Sequence, residues 1–279
     1  MHDPRNPQFL LAVAQATIRA LREAEINLPN DVTEALETAR NRETNPVARR
    51  ELTNICENIA LARKMGIPIC QDTGVPVCYL TLPPTVPYTD ALIQAITDGV
   101  RIATTTIPLR PNVVDPCSRK NSGTNTGHLM PYIHVKPGDH FSITVLPKGA
   151  GAENVSRIGM LLPSDRDAIG RFVVETVLIA GGRPCPPVIL GVGIGSTFDG
   201  VAALAKEALL DPVDHMDSFE QNLCDRINLL KIGPMGLGGD TTALAVKVKK
   251  ADCHTASLPV AVNVQCWASR RATVGIGVP

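Results

Sequence analysis

The spacing of the hydrophobic residues changes near residue 66, and this change limits the folds open to the chain. Before it, apolar residues recur every three or four positions, as they do on one face of an α-helix. Asn6-Pro7 and Asn45-Pro46 each combine a capping side chain with a proline at the first helical position, and Asn30 is a third candidate cap. Gly66 suits a C-terminal stop. The first 66 residues are therefore predicted to be helical.

After residue 66, short apolar runs alternate with helical patterns. Strand-like runs cover residues 75–82, 187–190, 242–249 and 259–265, and helical patterns cover 89–103, 165–180, 199–210 and 218–230. This alternation is typical of a mixed α/β (α+β) fold. We predict one domain over residues 1–279, in which a helical N-terminal lobe at about residues 1–66 packs with an irregular mixed-sheet region.

A β-hairpin is predicted in the middle of the chain. The alternating run at residues 132–136 leads into Pro137-Gly138-Asp139, and a second run follows at residues 140–146. Proline presets the backbone of a turn and glycine supplies its positive φ, so this tripeptide favours a tight connection. The two runs are therefore expected to pair with each other.

Composition and charge exclude several functional classes. Lys+Arg and Asp+Glu both number 27, so the net charge is zero and the basic footprint of a nucleic-acid-binding protein is missing. Only 3% of the residues are aromatic, too few for a stacking platform. The sequence has no apolar run of transmembrane length and no signal-peptide layout at its start. We expect a cytoplasmic protein that uses neither a membrane nor a nucleic acid as a partner.

The eight cysteines fall into two groups. Cys56 and Cys224 lie on apolar helical stripes and Cys78 lies inside a strand-like run, so these three are expected in the core. The others lie in loop-like or strand-end contexts: Cys70, Cys117, Cys185, Cys253 and Cys266. In a reducing compartment they should be thiols or ligands. Their spacing fits no zinc pattern, and spacing alone favours unligated thiols over a metal site.

Local context changes the weight given to three of these thiols. Cys70 is followed at once by Gln71-Asp72-Thr73-Gly74, a polar combination that suits a site better than a core. Prolines on both sides of Cys185 restrict its backbone, and Cys266 ends a strand shortly before Arg270-Arg271. Three thiols on rigid, unlike segments could converge on one inorganic cluster.

Three glycine-rich stretches have more than one interpretation. The backbone amides of residues 149–154 could hold a carboxylate. Residues 191–196 follow a short strand and weakly resemble a dinucleotide-binding loop, although the spacing is not the full fingerprint. Residues 233–240 could equally be a sharp connection that needs positive φ.

Arg110 and the polar run after it are two further candidates. Arg110 ends an apolar run, where it could be a surface charge or a fork that binds a carboxylate. Residues 119–128 carry many hydrogen-bonding groups, and a solvated loop is the simplest interpretation of them.

Several stretches together resemble a known family. They read IPICQDTG, KGAGAENVSRIGML, CPPVILGVGIGSTFD, DRINLLKIGPMGLGGDTTALAVKV and ASLPVAVNVQCWASRRA. They resemble the α subunit of two-subunit class I fumarate hydratases and of the closely related L(+)-tartrate dehydratases. The resemblance runs from about Leu52 to the C-terminus and is more specific than any single motif.

The resemblance implies a [4Fe-4S] cluster bound by Cys70, Cys185 and Cys266. Most such clusters take four thiolates, so three matching cysteines imply one iron with an open position. That iron acts as a Lewis acid in a hydro-lyase, here one that reversibly hydrates fumarate to (S)-malate. The mixed-sheet region is then the cluster-binding region.

The resemblance also implies roles for five residues near the cluster. Asp72 is the general acid/base or orients it. Arg110 binds a substrate carboxylate and Gln71 a second polar group. Gly151 offers a backbone contact to the substrate, with Asn154 close by.

The family pattern implies a partner chain. Single-chain relatives continue into a second domain that completes the active site, so a separate β subunit is expected here, in an α2β2 assembly. The substrate is expected to be a small dicarboxylate.

Three other functions remain open at this point. L(+)-tartrate or a related 2-hydroxy dicarboxylate could be the substrate. A hydrolase of a different class could use Cys70 as a nucleophile with His128 or His134. A non-catalytic dinucleotide-binding module could be built on the Gly191 loop.

Overall fold

A computed structural model describes residues 6–165 and 167–277. The described residues form two compact units: unit 1 contains residues 6–29, 59–148 and 270–277, and unit 2 contains residues 30–58, 149–165 and 167–269. The helices of the first 66 residues are therefore divided between the two units. The single domain over 1–279 with a lobe at about 1–66 stays a prediction, and its residues 1–5, 166 and 278–279 lie outside the described part.

The mixed α/β (α+β) fold class is confirmed. The helices are α1 (Pro7–Ile26), α2 (Asn30–Arg42), α3 (Pro46–Met65), α4 (Asp90–Thr106), α5 (Ala150–Glu153), α6 (Ala168–Ala180), α7 (Phe198–Ala208) and α8 (Ser218–Asn228). The strands are β1 (Val75–Leu82), β2 (Tyr132–Pro137), β3 (Ser142–Lys148), β4 (Arg157–Leu161), β5 (Val188–Ser196), β6 (Ala243–Cys253), β7 (Leu258–Gln265) and β8 (Ala272–Gly275). A short 3-10 helix covers Pro234–Gly236. The sequence patterns missed β4 and β8, which are short strands.

Helix ends follow the sequence signals. The Asn6 side chain caps α1 by accepting a hydrogen bond from the backbone N–H of Gln8 at 2.9 Å. Gly66 follows α3 with φ +66°, as expected for a C-terminal stop. In α8, Asp217 and Glu220 form a reciprocal capping box.

The four-stranded sheet of unit 1 has the order β2-β1-β3-β8. The predicted hairpin is wrong in its pairing, because β2 and β3 do not pair with each other. β1 lies between them, parallel to β2 and antiparallel to β3. The connection after Pro137 therefore crosses the end of β1 to reach β3. There the Gly138 N–H donates to the carbonyl of Leu82, the last residue of β1, at 3.0 Å. β1 is buried along most of its length, which favours a central position over an edge.

The core of unit 1 lies between this sheet and the helices α1 and α4. Its buried residues include Val13, Leu21, Leu80, Ile96, Val100, Phe141 and Ile143. A Cβ atom at Gly99 would lie 2.7 Å from the carbonyl oxygen of Ala14, so glycine permits the two helices to approach closely.

The four-stranded sheet of unit 2 has the order β4-β7-β5-β6, with β5 parallel to β6 and antiparallel to β7. Gly191 and Gly193 lie inside β5. Cβ atoms there would lie 2.0 Å and 2.3 Å from carbonyl oxygens of α7. These glycines bring the helix onto the strand, so the interpretation of residues 191–196 as a dinucleotide-binding loop is wrong.

In the described part of the chain, none of the helices combines the length and the apolar character needed to span a membrane.

Candidate active site

In unit 1, the candidate site residues Cys70, Gln71 and Asp72 lie in the loop between α3 and β1. Cys70 and Asp72 are half-buried, whereas Gln71 is exposed. The Asp72 carboxylate accepts a hydrogen bond from the backbone N–H of Gly74 at 3.0 Å. The Thr73 N–H donates to the Gln71 carbonyl at 3.1 Å. These bonds fold the loop into a tight turn and fix the direction of the Asp72 side chain.

Gly74 is required at the end of this turn. Its φ is +70°, and a Cβ atom would lie 2.7 Å from both the carbonyl carbon and the carbonyl oxygen of Lys148 in β3. Both the backbone conformation and the close approach exclude a side chain. The loop of residues 70–74 therefore packs directly against β3 in the sheet of unit 1.

Arg110 belongs to the same part of unit 1. Its side chain is exposed, but its backbone is held on both sides. The Thr73 hydroxyl accepts from the Arg110 N–H at 3.0 Å, and the Asn125 amide donates to the Arg110 carbonyl at 2.8 Å. The structure thus brings the Cys70–Asp72 loop and an exposed guanidinium residue together.

The polar run at 119–128 is only partly a solvated loop. Asn125 is 2% exposed, and its carboxamide oxygen accepts from the Asn112 N–H at 2.6 Å. The Thr104 hydroxyl donates to the Thr124 carbonyl at 2.9 Å. The inner part of the run supports Arg110, while residues 119–123 face solvent.

In unit 2, Cys185 occupies a constrained loop between α6 and β5. Its φ is +55°, a region that residues with a Cβ atom rarely adopt. Its N–H donates to the Gly182 carbonyl at 3.1 Å, and Cys185 as a whole is half-buried. Non-glycine residues with a strained backbone conformation such as this one cluster at functional sites.

Cys266 lies beside the Cys185 loop. It follows directly after β7, and the N–H of the next residue, Trp267, donates to the Cys185 carbonyl at 3.4 Å. The Cys266 thiol lies 3.8 Å from the carbonyl oxygen of Ala268. Unit 2 therefore places two of the three candidate ligand residues on adjoining segments.

In unit 2, Gly151 lies in the short helix α5, and Asn154 follows directly after that helix. Both residues are exposed. A Cβ atom at Gly151 would lie 3.4 Å from the Arg183 carbonyl, so α5 adjoins the loop that carries Cys185. Glu153 anchors the helix, because its carboxylate pairs with Lys206 and accepts from the Asn263 amide at 3.2 Å.

Cys78 and Cys224 are buried as expected, whereas Cys56, which was also expected in the core, is only half-buried. Burial raises the pKa of Cys78 and of Cys224 to about 12, and burial also raises the pKa of the half-buried Cys56. Burial therefore disfavours the thiolate form of each of these thiols in the absence of a metal. Cys117 and Cys253 are exposed, and none of the eight cysteines forms a disulfide.

No group of three or more His, Cys, Asp or Glu side chains within residues 6–165 and 167–277 is arranged to hold a single metal ion. The hypothesis of a cysteine nucleophile finds no support in contacts either. Over the same residues, no hydrogen bond joins the Cys70 thiol to a histidine, and His134 instead stacks on Tyr79 with ring centroids 4.5 Å apart.

Sequence patterns missed the residues that hold the unit 1 loop in place. Thr73 and Asn125 were visible only as members of polar runs. Glu25 is completely buried in α1 and pairs with Arg270. One signal could have found it, because Glu25 continues the helical spacing of the apolar residues Ile18 and Leu21.

Comparison with known proteins shows a match along almost the whole chain. The family model described as fumarate hydratase (Fumerase) matches residues 14–275. A Methanocaldococcus jannaschii protein, provisionally named L(+)-tartrate dehydratase subunit alpha, is 44% identical over 275 residues, which cover 94% of this chain and 96% of that protein.

Bacterial relatives are more distant. The L(+)-tartrate dehydratase subunit alpha of Escherichia coli O157:H7 is 31% identical over 88% of this chain and 85% of its own length. The protein of the same name from Escherichia coli strain K12 is 30% identical, with the same coverage of 88% and 85%.

Proposed function

Because this chain belongs to the fumarate hydratase (Fumerase) family and is an enzyme of the hydro-lyase type, we propose that it is the α subunit of a [4Fe-4S] hydro-lyase that reversibly hydrates fumarate to (S)-malate. One observation carries the proposal: the Thr73 hydroxyl links the Cys70–Asp72 loop to the backbone of Arg110. A thiol, a carboxylate and a guanidinium fork are the groups that such a reaction on a dicarboxylate needs.

We assign the cluster to Cys70, Cys185 and Cys266. The donor set fits, because these thiols lie at half-buried positions on backbone that tight turns and strand ends constrain. Thiolates around a cluster bind different irons, so they need not meet at one ion. Cys56 lies within α3, and Cys78 and Cys224 lie buried in β1 and α8, so none of these three thiols occupies a turn or strand end of this kind.

When bound, the cluster supplies an open iron that acts as a Lewis acid toward the carboxylate and hydroxyl groups of the substrate. Arg110 binds a carboxylate through its planar fork and takes up charge that develops there. Asp72 is the candidate general acid/base. Its hydrogen bond from Gly74 fixes one carboxylate oxygen and so orients the group that carries the proton.

Three further residues complete the proposed substrate contacts of this chain. Gln71 offers an exposed amide to a second polar group of the substrate. The backbone of Gly151 and the side chain of Asn154 are exposed on and next to α5. Gly151 lies close to the segment that carries Cys185, and this proximity supports the assignment of Gly151 to the same site.

The partner is proposed to be a β subunit in an α2β2 assembly. The relatives are named as alpha subunits, and this naming supports a second kind of chain. We also propose a cytoplasmic setting. Eight thiols without a disulfide suit a reducing compartment, where an exposed iron site is best preserved.

L(+)-tartrate is a second candidate substrate. The relatives reported above carry that substrate in their names, and their identity to this chain reaches 44%. Tartrate carries one more hydroxyl group than malate, so a site that pairs with this hydroxyl should discriminate strongly between the two. Measuring kcat/KM for fumarate, (S)-malate and L(+)-tartrate decides between them.

The cluster is tested by anaerobic purification with the β subunit co-expressed, followed by iron and sulfide analysis. We expect about four irons and four sulfides per α chain. A colourless, iron-free but folded protein after strict anaerobic handling would contradict the proposal.

Single Cys→Ser variants test the ligand assignment. Cys70→Ser, Cys185→Ser and Cys266→Ser should each lose most of the iron and the activity. The exposed Cys117→Ser in unit 1 and Cys253→Ser in unit 2 are matched controls and should keep both. A Cys70→Ser protein with full iron content and full activity would exclude Cys70 as a ligand.

A further inference from the structure

Unit 1 contains a fully buried ion pair that the proposed chemistry does not use. Glu25 lies in the last turn of α1, and the side chains of Glu25 and Arg270 are 0% and 1% exposed. The Nη1 atom of Arg270 donates to Oε2 of Glu25 at 2.7 Å. Such a bond between charged groups is among the stronger contacts in a protein.

Both partners also hold the loop that carries Cys70. The Nη2 atom of Arg270 donates to the backbone carbonyl of Asp72 at 2.9 Å. The backbone carbonyl of Glu25 accepts from the N–H of Ile69 at 2.9 Å. The Arg270 side chain and the Glu25 backbone therefore hold the chain on either side of Cys70 and Gln71.

Stability alone does not explain this pair. Burial raises the pKa of Glu25 to about 7, although the charge of Arg270 acts in the opposite direction. The Oε1 atom of Glu25 is buried without a hydrogen-bond partner in the described residues. Hydrophobic residues of similar volume can often replace a buried ion pair without loss of stability, so the position of this pair calls for a further explanation.

A second buried pair in unit 2 provides a contrast. Glu220 and Lys247 lie 3.0 Å apart, with side chains that are 9% and 10% exposed. Lys247 also donates to the His215 carbonyl, and Glu220 accepts from the N–H groups of Asp217 and Val248. These contacts join β6 to α8 and involve none of the candidate site residues.

We propose that Glu25 and Arg270 are positioning residues, which hold the Cys70–Asp72 backbone in the geometry that the cluster and the acid/base chemistry require. The inference rests on the proposed function only in treating Cys70, Gln71 and Asp72 as site residues. The Arg270 side chain acts through the Asp72 carbonyl, and the Glu25 side chain acts through Arg270.

The test removes both charges at once and follows the Cys70 thiol in the full chain, co-purified with its partner subunit and freed of metal by a chelator. In the double variant Glu25→Gln/Arg270→Met, alkylation of Cys70 by iodoacetamide should be faster on the order of tenfold, because a charged hydrogen bond no longer closes the loop. Peptide mass spectrometry gives the rate at Cys70, and Cys117 is the internal reference, whose rate should not change.

A matched double variant in unit 2, Glu220→Gln/Lys247→Met, is the control. It removes a buried pair and should leave the Cys70 rate unchanged, even where it lowers the melting temperature. A Glu25→Gln/Arg270→Met protein that is folded and alkylates at the wild-type rate would overturn the proposal. If that protein does not fold, the Cys70 alkylation rate is measured in Arg270→Lys instead. Lysine keeps the charge beside Glu25 but cannot also reach Asp72. A wild-type Cys70 rate in Arg270→Lys would then overturn it.

The loaded enzyme gives a second readout. In Arg270→Lys, kcat should fall while KM for the dicarboxylate changes much less, because Thr73 and Asn125 hold the Arg110 backbone independently of the pair. Faster Cys70 alkylation in the double variant, together with a wild-type protein that carries no iron or sulfide after anaerobic purification, would support the positioning role and reject the proposed function. A wild-type enzyme that carries the cluster and is active, together with an unchanged Cys70 alkylation rate in the double variant, would support the proposed function and reject the positioning role.

Discussion

The hydroxyl of Thr73 accepts a hydrogen bond from the backbone N–H of Arg110 at 3.0 Å, and it lies 3.4 Å from the carbonyl oxygen of the same residue. Thr73 is 4% exposed, so this contact is shielded from water. Thr73, which lies between Asp72 and Gly74, thus also fixes the backbone of Arg110, the residue proposed to bind a substrate carboxylate. The first prediction follows from this double role.

Thr73→Val keeps the shape of the side chain and removes both contacts with Arg110. We expect a loss of about 1 to 2 kcal/mol in the free energy of unfolding. We also expect kcat/KM to fall by about tenfold to a hundredfold, because small displacements of a substrate-binding group reduce the rate strongly. Urea unfolding and steady-state kinetics with the β subunit present measure the two effects.

Thr176→Val is the control for this prediction. Thr176 is fully buried in α6, and its hydroxyl donates to the Phe172 carbonyl of the same helix. It should change stability without changing kcat/KM. Equal kinetic effects in the two variants would show that the Thr73 effect is one of general stability.

Gly74→Ala is expected to be among the most damaging small substitutions in unit 1. The φ of +70° and the Lys148 backbone at 2.7 Å act together, and a loss of about 3 kcal/mol or more is expected. Gly123→Ala separates the two causes, since Gly123 has φ +78° but no atom within 4 Å of an added Cβ. It should lose only about 1 to 2 kcal/mol. Equal losses by urea unfolding would contradict the close approach at Gly74.

Thiol reactivity should divide the cysteines by burial. Alkylation at slightly alkaline pH should modify the exposed Cys117 and Cys253 in the native protein. Cys78 and Cys224 should react only on unfolding, because burial raises the pKa of each to about 12 and the thiolate is the reactive form. Mass spectrometry of native and urea-treated samples checks this. Rapid native labelling of Cys78 would mean that unit 1 opens far more readily than its core suggests.

Acid should weaken the cap of α8. The backbone N–H of Glu220 lowers the pKa of Asp217, and the charges of Lys250 and Lys247 act in the same direction. A lowered pKa contributes stability that is present above the ordinary pKa of an aspartate and is lost as pH falls through the folded-state value. Asp217→Asn should therefore destabilise the chain at neutral pH and have little effect in strong acid. Urea unfolding at both pH values measures the difference, and a pH-independent difference would contradict it.

Local signals in the sequence were sufficient for most helices and for β1. Asn6-Pro7 and Gly66 act on neighbouring backbone groups, so their effects do not depend on the rest of the fold. Local signals were not sufficient to predict which strands pair with each other. Pro137-Gly138-Asp139 correctly predicted a turn, but the partner of each flanking strand was decided by β1, which comes more than 50 residues before β2 in the chain.

The sequence by itself determined the family, the hydro-lyase type and the polar context of Cys70, because these are carried by residue types in order along the chain. Only the tertiary structure decided that Thr73 supports Arg110 and that Glu25 and Arg270, separated by 245 positions, meet in a buried pair beside Asp72. Burial and hydrogen-bond partners arise when distant segments come together, so they cannot be read from spacing along the chain.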